Sequence, residues 1–152
     1  MTSATINRLA NALFIEDSAS EIRLLKQRLD KDNVQFDGHW VVNGEDALKF
    51  LRHDPGFEKA PRPDVIFLDL HLPQLNGEDV LHAIQADQTL STIPVVVLTQ
   101  SDFEDDVISM RDLGAAHYLV KPLDYDKLVE AVALIDTLRL ERDGKDWNLV
   151  PV

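Results

Sequence analysis

The chain contains no cysteine, so neither disulfides nor thiolate chemistry enters any account of it. No apolar run approaches the length of a membrane span, and the longest stretches, such as Pro94-Val95-Val96-Val97-Leu98, have the length of a strand. The N-terminal MTSATINRLAN lacks the apolar core of a signal peptide, which makes the cytoplasm the expected location. Positive charge is scarce: 15 Lys and Arg stand against 27 Asp and Glu, for a formal net charge of −12. That balance argues against nucleic acid or an anionic membrane as a partner. There is also no internal repeat and no low-complexity tract.

What remains is a chain with the composition of a folded protein, 45% apolar and 28% charged. Its 152 residues suit one domain and leave no room for a second folded one. Short β-rich runs alternate with stretches of helical period, the pattern of a parallel sheet covered on both faces. The runs read as strands are Ala12–Ile15, Phe36–Val42, Val65–Leu68, Val95–Leu98 and His117–Val120. Between and after them, Ile22, Leu25 and Leu29 share one helix face, as do Phe103, Val107 and Met110, and then Leu128, Ala131, Ile135 and Leu138. Ser18 with Glu21 makes a capping box, and Asn43, Asn76, Asp102 and Asp124 stand at N-cap positions. The expected fold is therefore α/β, a five-stranded parallel sheet of order 2-1-3-4-5 with helices on both faces. The loop Asp54–Pro63 is long and rich in proline and charge, and helical period is lost after about Arg142.

Acidic residues stand just past the ends of two strands, Glu16 and Asp17 after the first and Asp69 after the third. In the 2-1-3-4-5 order these strands are neighbours at the topological switch point, where such sheets bind ligands. Like charges this close raise one another's proton affinity unless a cation sits among them. An all-oxygen donor set favours a hard ion, and Mg²⁺ is typically held by one or two carboxylates plus phosphate. Thr99 closes the fourth strand and Lys121 the fifth. A carboxylate, a metal, a hydroxyl and an ammonium at one point suit phosphoryl transfer, which needs positioning and charge neutralisation, with Asp69 as nucleophile. Each residue alone has a plainer reading: Asp69 and Thr99 as turn or cap residues, Glu16-Asp17 as a helix start, Lys121 as a solvated charge at a strand end. Their coincidence on one edge, at four of five strand ends, outweighs those readings.

The segments FIEDS, VIFLDLHLPQLNGEDVL, IPVVVLTQS and AAHYLVKPL resemble the receiver domains of bacterial two-component response regulators, over roughly residues 10–140. The resemblance implies a flavodoxin-like receiver fold that accepts a phosphoryl group from a sensor histidine kinase on Asp69. It implies Mg²⁺ held by Glu16, Asp17, Asp69 and the backbone carbonyl of His71. Lys121, before a cis Pro122, would bind the phosphoryl group, and Thr99 and Tyr118 would form the switch pair. Pro73 and Gly77 match in the loop after the acceptor, where glycine would allow a conformation closed to other residues. Gln100 departs from the usual small residue beside the route to the phosphoryl group. His71 is also less usual, though a backbone ligand tolerates any side chain. His39, His53, His82 and His117 have no metal-ligand spacing and read as structural or solvated.

A haloacid-dehalogenase-type phosphatase would need a second Asp two residues after the first, where this chain has His71, so no enzyme activity beyond self-catalysed phosphotransfer and its reversal is expected. Two other readings stay open: a phosphorylation-independent pseudo-receiver adaptor, and a phosphorelay intermediate that passes phosphate to a histidine phosphotransfer domain. The Asp54–Pro63 loop, the LTQS segment and the WNLVP element resemble regulators that partner with bacterial phytochrome histidine kinases. The expected organisation is an N-terminal extension over 1–9, a receiver domain over 10–142 and a C-terminal tail over 143–152. Trp147, Leu149, Val150 and Pro151 in that tail are apolar with no evident element of their own to join. Two readings follow: docking on the parent domain, or exchange between two copies as a dimerisation arm, the latter preferred and giving a homodimer.

Overall fold

In the computed structural model, which describes residues 8–100 and 112–152, the central strands are buried on both faces. Strand β1 (Asn11–Ile15) is followed by α1 (Ala19–Lys31), the two-residue β2 (Val34–Gln35) and β3 (Asp37–Val41). Then come α2 (Gly44–Arg52), β4 (Val65–Asp69), α3 (Gly77–Gln85), β5 (Val95–Thr99) and β6 (His117–Val120). Helix α4 (Tyr125–Ala133) leads into β7 (Leu138–Asp143) and β8 (Asp146–Pro151).

The main sheet is parallel with order β3-β1-β4-β5-β6, the expected 2-1-3-4-5 once the short β2, which belongs to another sheet, is set aside. Every residue of β4 and β5 is buried, which is why VIFLD and VVVLT are near-continuous apolar runs and do not alternate. The period of two instead sorts these residues between two cores. Leu13, Ile15, Ile66, Leu68, Val95 and Val97 face one; Ala12, Phe14, Val65, Phe67, Val96 and Leu98 face the other. Helices α2 and α3 supply Phe50, Leu51, Val80, Leu81 and Ile84 to the first core, while Leu29 of α1 and Leu128 and Ala131 of α4 join the second.

Three of the expected caps form in full. Asn43, Asn76 and Asp124 accept from the backbone N–H groups of Asp46, Asp79 and Lys127 at 2.7, 2.9 and 2.9 Å. The expected cap at Asp102 and the helix face at Phe103, Val107 and Met110 lie outside the described residues. No helix among those described is long and apolar enough to cross a membrane.

Two expectations are corrected. Ile135 and Leu138 do not continue the face of Leu128 and Ala131, because α4 ends at Ala133 and Leu138 opens a strand. Likewise 143–152 is not a tail outside the domain. β7 and β8 form an antiparallel hairpin, and β8 pairs in parallel with β2. The turn is Gly144-Lys145, with Gly144 at φ +62°, a conformation that favours glycine at the first central position of a two-residue hairpin loop. Of the apolar residues near the end of the chain, Leu149 and Val150 are buried in their own domain and Trp147 is partly covered by it, while Val152 is exposed. Leu138 and Leu149 join the second core, Val150 is also buried, and the ring of Trp147 lies 5.6 Å from that of Tyr125. The backbone N–H of Ala10 donates to the Leu149 carbonyl at 2.7 Å, and that of Trp147 to Asn33 at 2.8 Å.

The C-terminal strand is thus part of the fold, and truncation should show it. Leu149→Ala should cost about 2–4 kcal/mol, read from the urea midpoint, and removal of 143–152 should cost more. Unchanged midpoints would contradict the docking of β8.

Candidate functional site

The register of the parallel strands brings the relevant residues together. Ile15 lies opposite Leu68 and Asp69 opposite Leu98, so the chain leaves β1 into Glu16-Asp17 beside Asp69. Thr99 lies opposite Val120, immediately before Lys121. Carboxylate oxygens of Glu16, Asp17 and Asp69 all lie within 4.8 Å of one another, and among the described residues no other group of three acidic or imidazole side chains is this close. Glu16 and Asp69 are buried, 7% and 4% exposed, while Asp17 reaches solvent.

The Lys121 ammonium sits among these charges. It donates to Glu16 Oε2 at 2.7 Å and to Glu21 Oε2 at 3.2 Å, and stands 3.4 Å from Asp69 Oδ1. The Lys121–Pro122 peptide is cis, as expected. Backbone groups help hold the carboxylates: Ser18 N–H donates to Glu16 Oε1 at 3.1 Å, and His71 N–H to Asp69 Oδ1 at 3.1 Å.

Burial lifts the Glu16 carboxyl to about 7; the hydrogen bond from Lys121 pulls against this and the Asp69 charge adds to it. Burial also works to lower the Lys121 ammonium, but the hydrogen bond to Glu16 and the charges of Asp69, Glu16 and Glu21 outweigh it and hold Lys121 above the ordinary lysine value. In Glu21 burial works upward, and Lys121 more than offsets it, leaving the carboxyl below its ordinary range.

Gly77 is needed here for a different reason from the one expected. Its φ is not positive; instead a Cβ at this position would stand 2.5 Å from the Asp69 carbonyl oxygen and 2.8 Å from Leu70 Cα. The start of α3 packs directly on the backbone that carries Asp69, and only glycine fits there. Thr99 is buried at the end of β5, and Tyr118 is half-buried on edge strand β6, packed against the first core. Tyr118 lies opposite Val97, two residues before Thr99, so the two side chains share one face of the sheet. Of the other histidines, His39 lies 3.2 Å from Asn11 Oδ1 and His117 2.9 Å from Glu130 Oε2, both away from the acidic group.

Glu21 is the site residue that the sequence concealed. Its position three residues after Ser18 marks it as half of a capping box, and only half of that box forms. Glu21 N–H donates to Ser18 Oγ at 3.3 Å, but Glu16 takes the Ser18 N–H, and the Glu21 carboxylate extends to Lys121 and accepts from Gln100 Nε2 at 3.4 Å.

The donor set, all oxygen and mostly carboxylate, fits a hard divalent cation. With an ammonium and a buried hydroxyl alongside, the arrangement can bind and neutralise a phosphoryl group in line with a carboxylate nucleophile.

A family model for the response regulator receiver domain matches residues 12–133. Response regulator Rcp1 of Synechocystis sp. is 37% identical over 129 residues, covering 85% of this chain and 88% of that protein. The crystal structure of the Mn²⁺-bound form of Rcp1 superposes with TM-score 0.71 at 34% identity, over 88% of this chain and 99% of that one. The bacteriophytochrome response regulator RtBRR gives TM-score 0.78 at 31% identity, over 91% and 84%. The phosphorylated cyanobacterial phytochrome response regulator RcpA gives 0.70 at 36%, over 80% and 86%.

The raised Glu16 carboxyl sets the pH dependence of the metal-free protein. Between the unfolded value near 4.5 and the folded value of about 7 the native state binds the extra proton. Stability in EDTA should therefore be fully present below the lower value and fall as pH rises through the upper, by on the order of 3 kcal/mol. Glu16→Gln should flatten this slope in urea melts, and an equally steep slope in that variant would assign the titration elsewhere.

Proposed function

This chain belongs to the response regulator receiver domain family, and on that premise we propose that it is a cytoplasmic single-domain response regulator that accepts a phosphoryl group on Asp69. The observation that carries this reading is the meeting of Glu16, Asp17 and Asp69 oxygens within 4.8 Å, with the Lys121 ammonium among them. That the chain matches 88% of Rcp1's length supports a likeness to the whole of that response regulator.

In this reading an Asp69 carboxylate oxygen attacks the phosphorus of a kinase phosphohistidine, and the imidazole leaves with the electron pair of the broken P–N bond. Lys121 moves its ammonium onto a phosphoryl oxygen, and the Thr99 hydroxyl donates to another. Glu16, Asp17, Asp69 and the His71 carbonyl would hold Mg²⁺, which supplies further neutralisation of phosphoryl charge when bound. Movement of Thr99 toward the phosphoryl group leaves space that the Tyr118 ring follows into, which alters the face around β6 and α4. The chemistry is self-catalysed transfer to and from Asp69; no other substrate is turned over.

The partner in this reading is a sensor histidine kinase. The description of RcpA as a cyanobacterial phytochrome response regulator, and of RtBRR as a bacteriophytochrome one, supports a phytochrome kinase. A second copy of the chain is proposed as a further partner, through α4 and the adjoining C-terminal hairpin. This is supported by Val129 and Leu134, which remain 39% and 58% exposed although apolar. The presence of every acidic position and of Lys121 favours this reading over a constitutive adaptor.

Acetyl phosphate with Mg²⁺ should add one phosphoryl group to the intact mass, labile to base and hydroxylamine, and Asp69→Asn should abolish it. Full labelling of that variant would overturn the assignment. Light scattering should give the mass of a dimer at high micromolar concentration; a monomer with and without phosphate would end the second proposal.

A further inference from the structure

Lys121 has more carboxylate around it than binding a phosphoryl group calls for. Two of its contacts, Glu16 and Asp69, belong to the buried acidic group. The third, Glu21, does not: it stands on the first turn of α1, its side chain 35% accessible, and reaches over the rim of the site. One of its oxygens takes Lys121 from the end of β6, and the other accepts from Gln100 at the end of β5. A single carboxylate thus ties the phosphoryl-binding lysine to the residue that departs from the usual small side chain. Glu21 does so instead of folding back on the Ser18 N–H, the local bond its position offers, because Glu16 holds that N–H.

We propose that Glu21 is a positioning residue that latches Lys121 to Gln100 in the resting protein and makes the site discriminate among phosphodonors by their charge. The inference rests on Asp69 being the phosphoacceptor. An anionic donor approaches from solvent, the side on which Glu21 is accessible, and meets its negative charge before it meets Lys121. Once the phosphoryl group arrives, the ammonium must leave Glu21 to reach a phosphoryl oxygen. Glu21 therefore opposes transfer twice, by repulsion and by competition for the ammonium. Beneath the latch lies a mainly apolar cavity of about 100 Å³, lined in part by Leu24, Leu25, Phe67, Leu98 and the stem of Lys121. It leaves the lysine stem room to shift without displacing packed side chains. A donor carried on a protein can offset the Glu21 charge with a cation of its own; a small free anion cannot. The latch thus favours the kinase over free acyl phosphates.

The test compares the parent chain with Glu21→Gln, using acetyl phosphate and phosphoramidate at neutral pH with saturating Mg²⁺. With acetyl phosphate, an Asp69 oxygen–phosphorus bond forms as the bond to the acetyl oxygen breaks, and acetate leaves with the electron pair. With phosphoramidate, ammonia leaves with the pair, its nitrogen already fully protonated in the zwitterionic donor. The first donor is a dianion and the second a net monoanion, so an electrostatic latch acts more strongly on the first. Glu21→Gln should raise the second-order labelling rate with acetyl phosphate about three- to tenfold at low ionic strength. The gain should be smaller with phosphoramidate and should shrink at high salt. Saturating Mg²⁺ keeps any change in metal affinity that follows from removing one carboxylate charge out of the comparison, and the urea midpoint of Glu21→Gln checks that the variant is folded. Rates within twofold of the parent for both donors, or equal and salt-independent gains with both, would overturn the latch. If the parent itself is not labelled by either donor, the phosphoacceptor reading fails and the latch falls with it; labelling of the parent with an inert Glu21→Gln removes the latch alone.

Discussion

One ammonium among three carboxylates is the contact on which the rest of this architecture depends. Lys121 meets Glu16, Glu21 and Asp69, and Asp17 stands beside them with no ammonium of its own in this group. In water such a group would disperse. Here the register of β1 against β4 and of β5 against β6 sets its members in place, and burial of Glu16 and Asp69 makes their repulsion expensive. The backbone N–H groups of Ser18 and His71 each give one of these carboxylates a hydrogen bond, and the close seat of Gly77 holds the peptide after Asp69 in place. One ammonium among four carboxyl groups leaves the cluster short of cation, a donor set that suits a divalent ion.

The scaffold around this contact is stiff where the site requires it. Buried on both faces, β4 and β5 place Asp69 and Thr99 at the ends of strands that cannot shift register without moving two cores at once. Phe14 lies between Trp40 and Phe67, stacked at 4.1 and 4.9 Å, which ties β3, β1 and β4 together under the acidic residues. The second, three-stranded sheet closes the far end of the same core, where Leu138 and Leu149 meet Leu128 and Leu29.

The central sheet and the site residues were legible because both depend on signals that local sequence carries strongly. Apolar runs of strand length ending in Asp69, Thr99 and Lys121 name their own positions, and a parallel order then brings the ends together. The C-terminal hairpin was less legible because two periods overlap there. Leu128, Ala131, Ile135 and Leu138 satisfy a helical spacing, while Leu138 and Leu140 also satisfy the alternation of a strand. The local signal for the hairpin is Gly144, whose positive φ opens the Gly144-Lys145 turn, a single residue set against a helical spacing of four. Glu21 was hidden for another reason: its capping-box position offers a sufficient local role, and only the three-dimensional arrangement shows Glu16 occupying the N–H that role requires. Gly77 was found, but its cause, the approach of α3 to the Asp69 carbonyl, is a contact between elements that no local pattern encodes.

The central claim, that the carboxylates are crowded in a way only a cation relieves, is tested most directly by Asp17→Asn in thermal melts with EDTA and with Mg²⁺. Asp17 is exposed and its removal deletes no packing, so the variant reports charge alone. In EDTA it should melt at or above the parent, because repulsion is removed. With Mg²⁺ the parent should gain several degrees and the variant little, because a ligand is missing. A variant that melts below the parent in EDTA, or gains as much from Mg²⁺, would contradict the account.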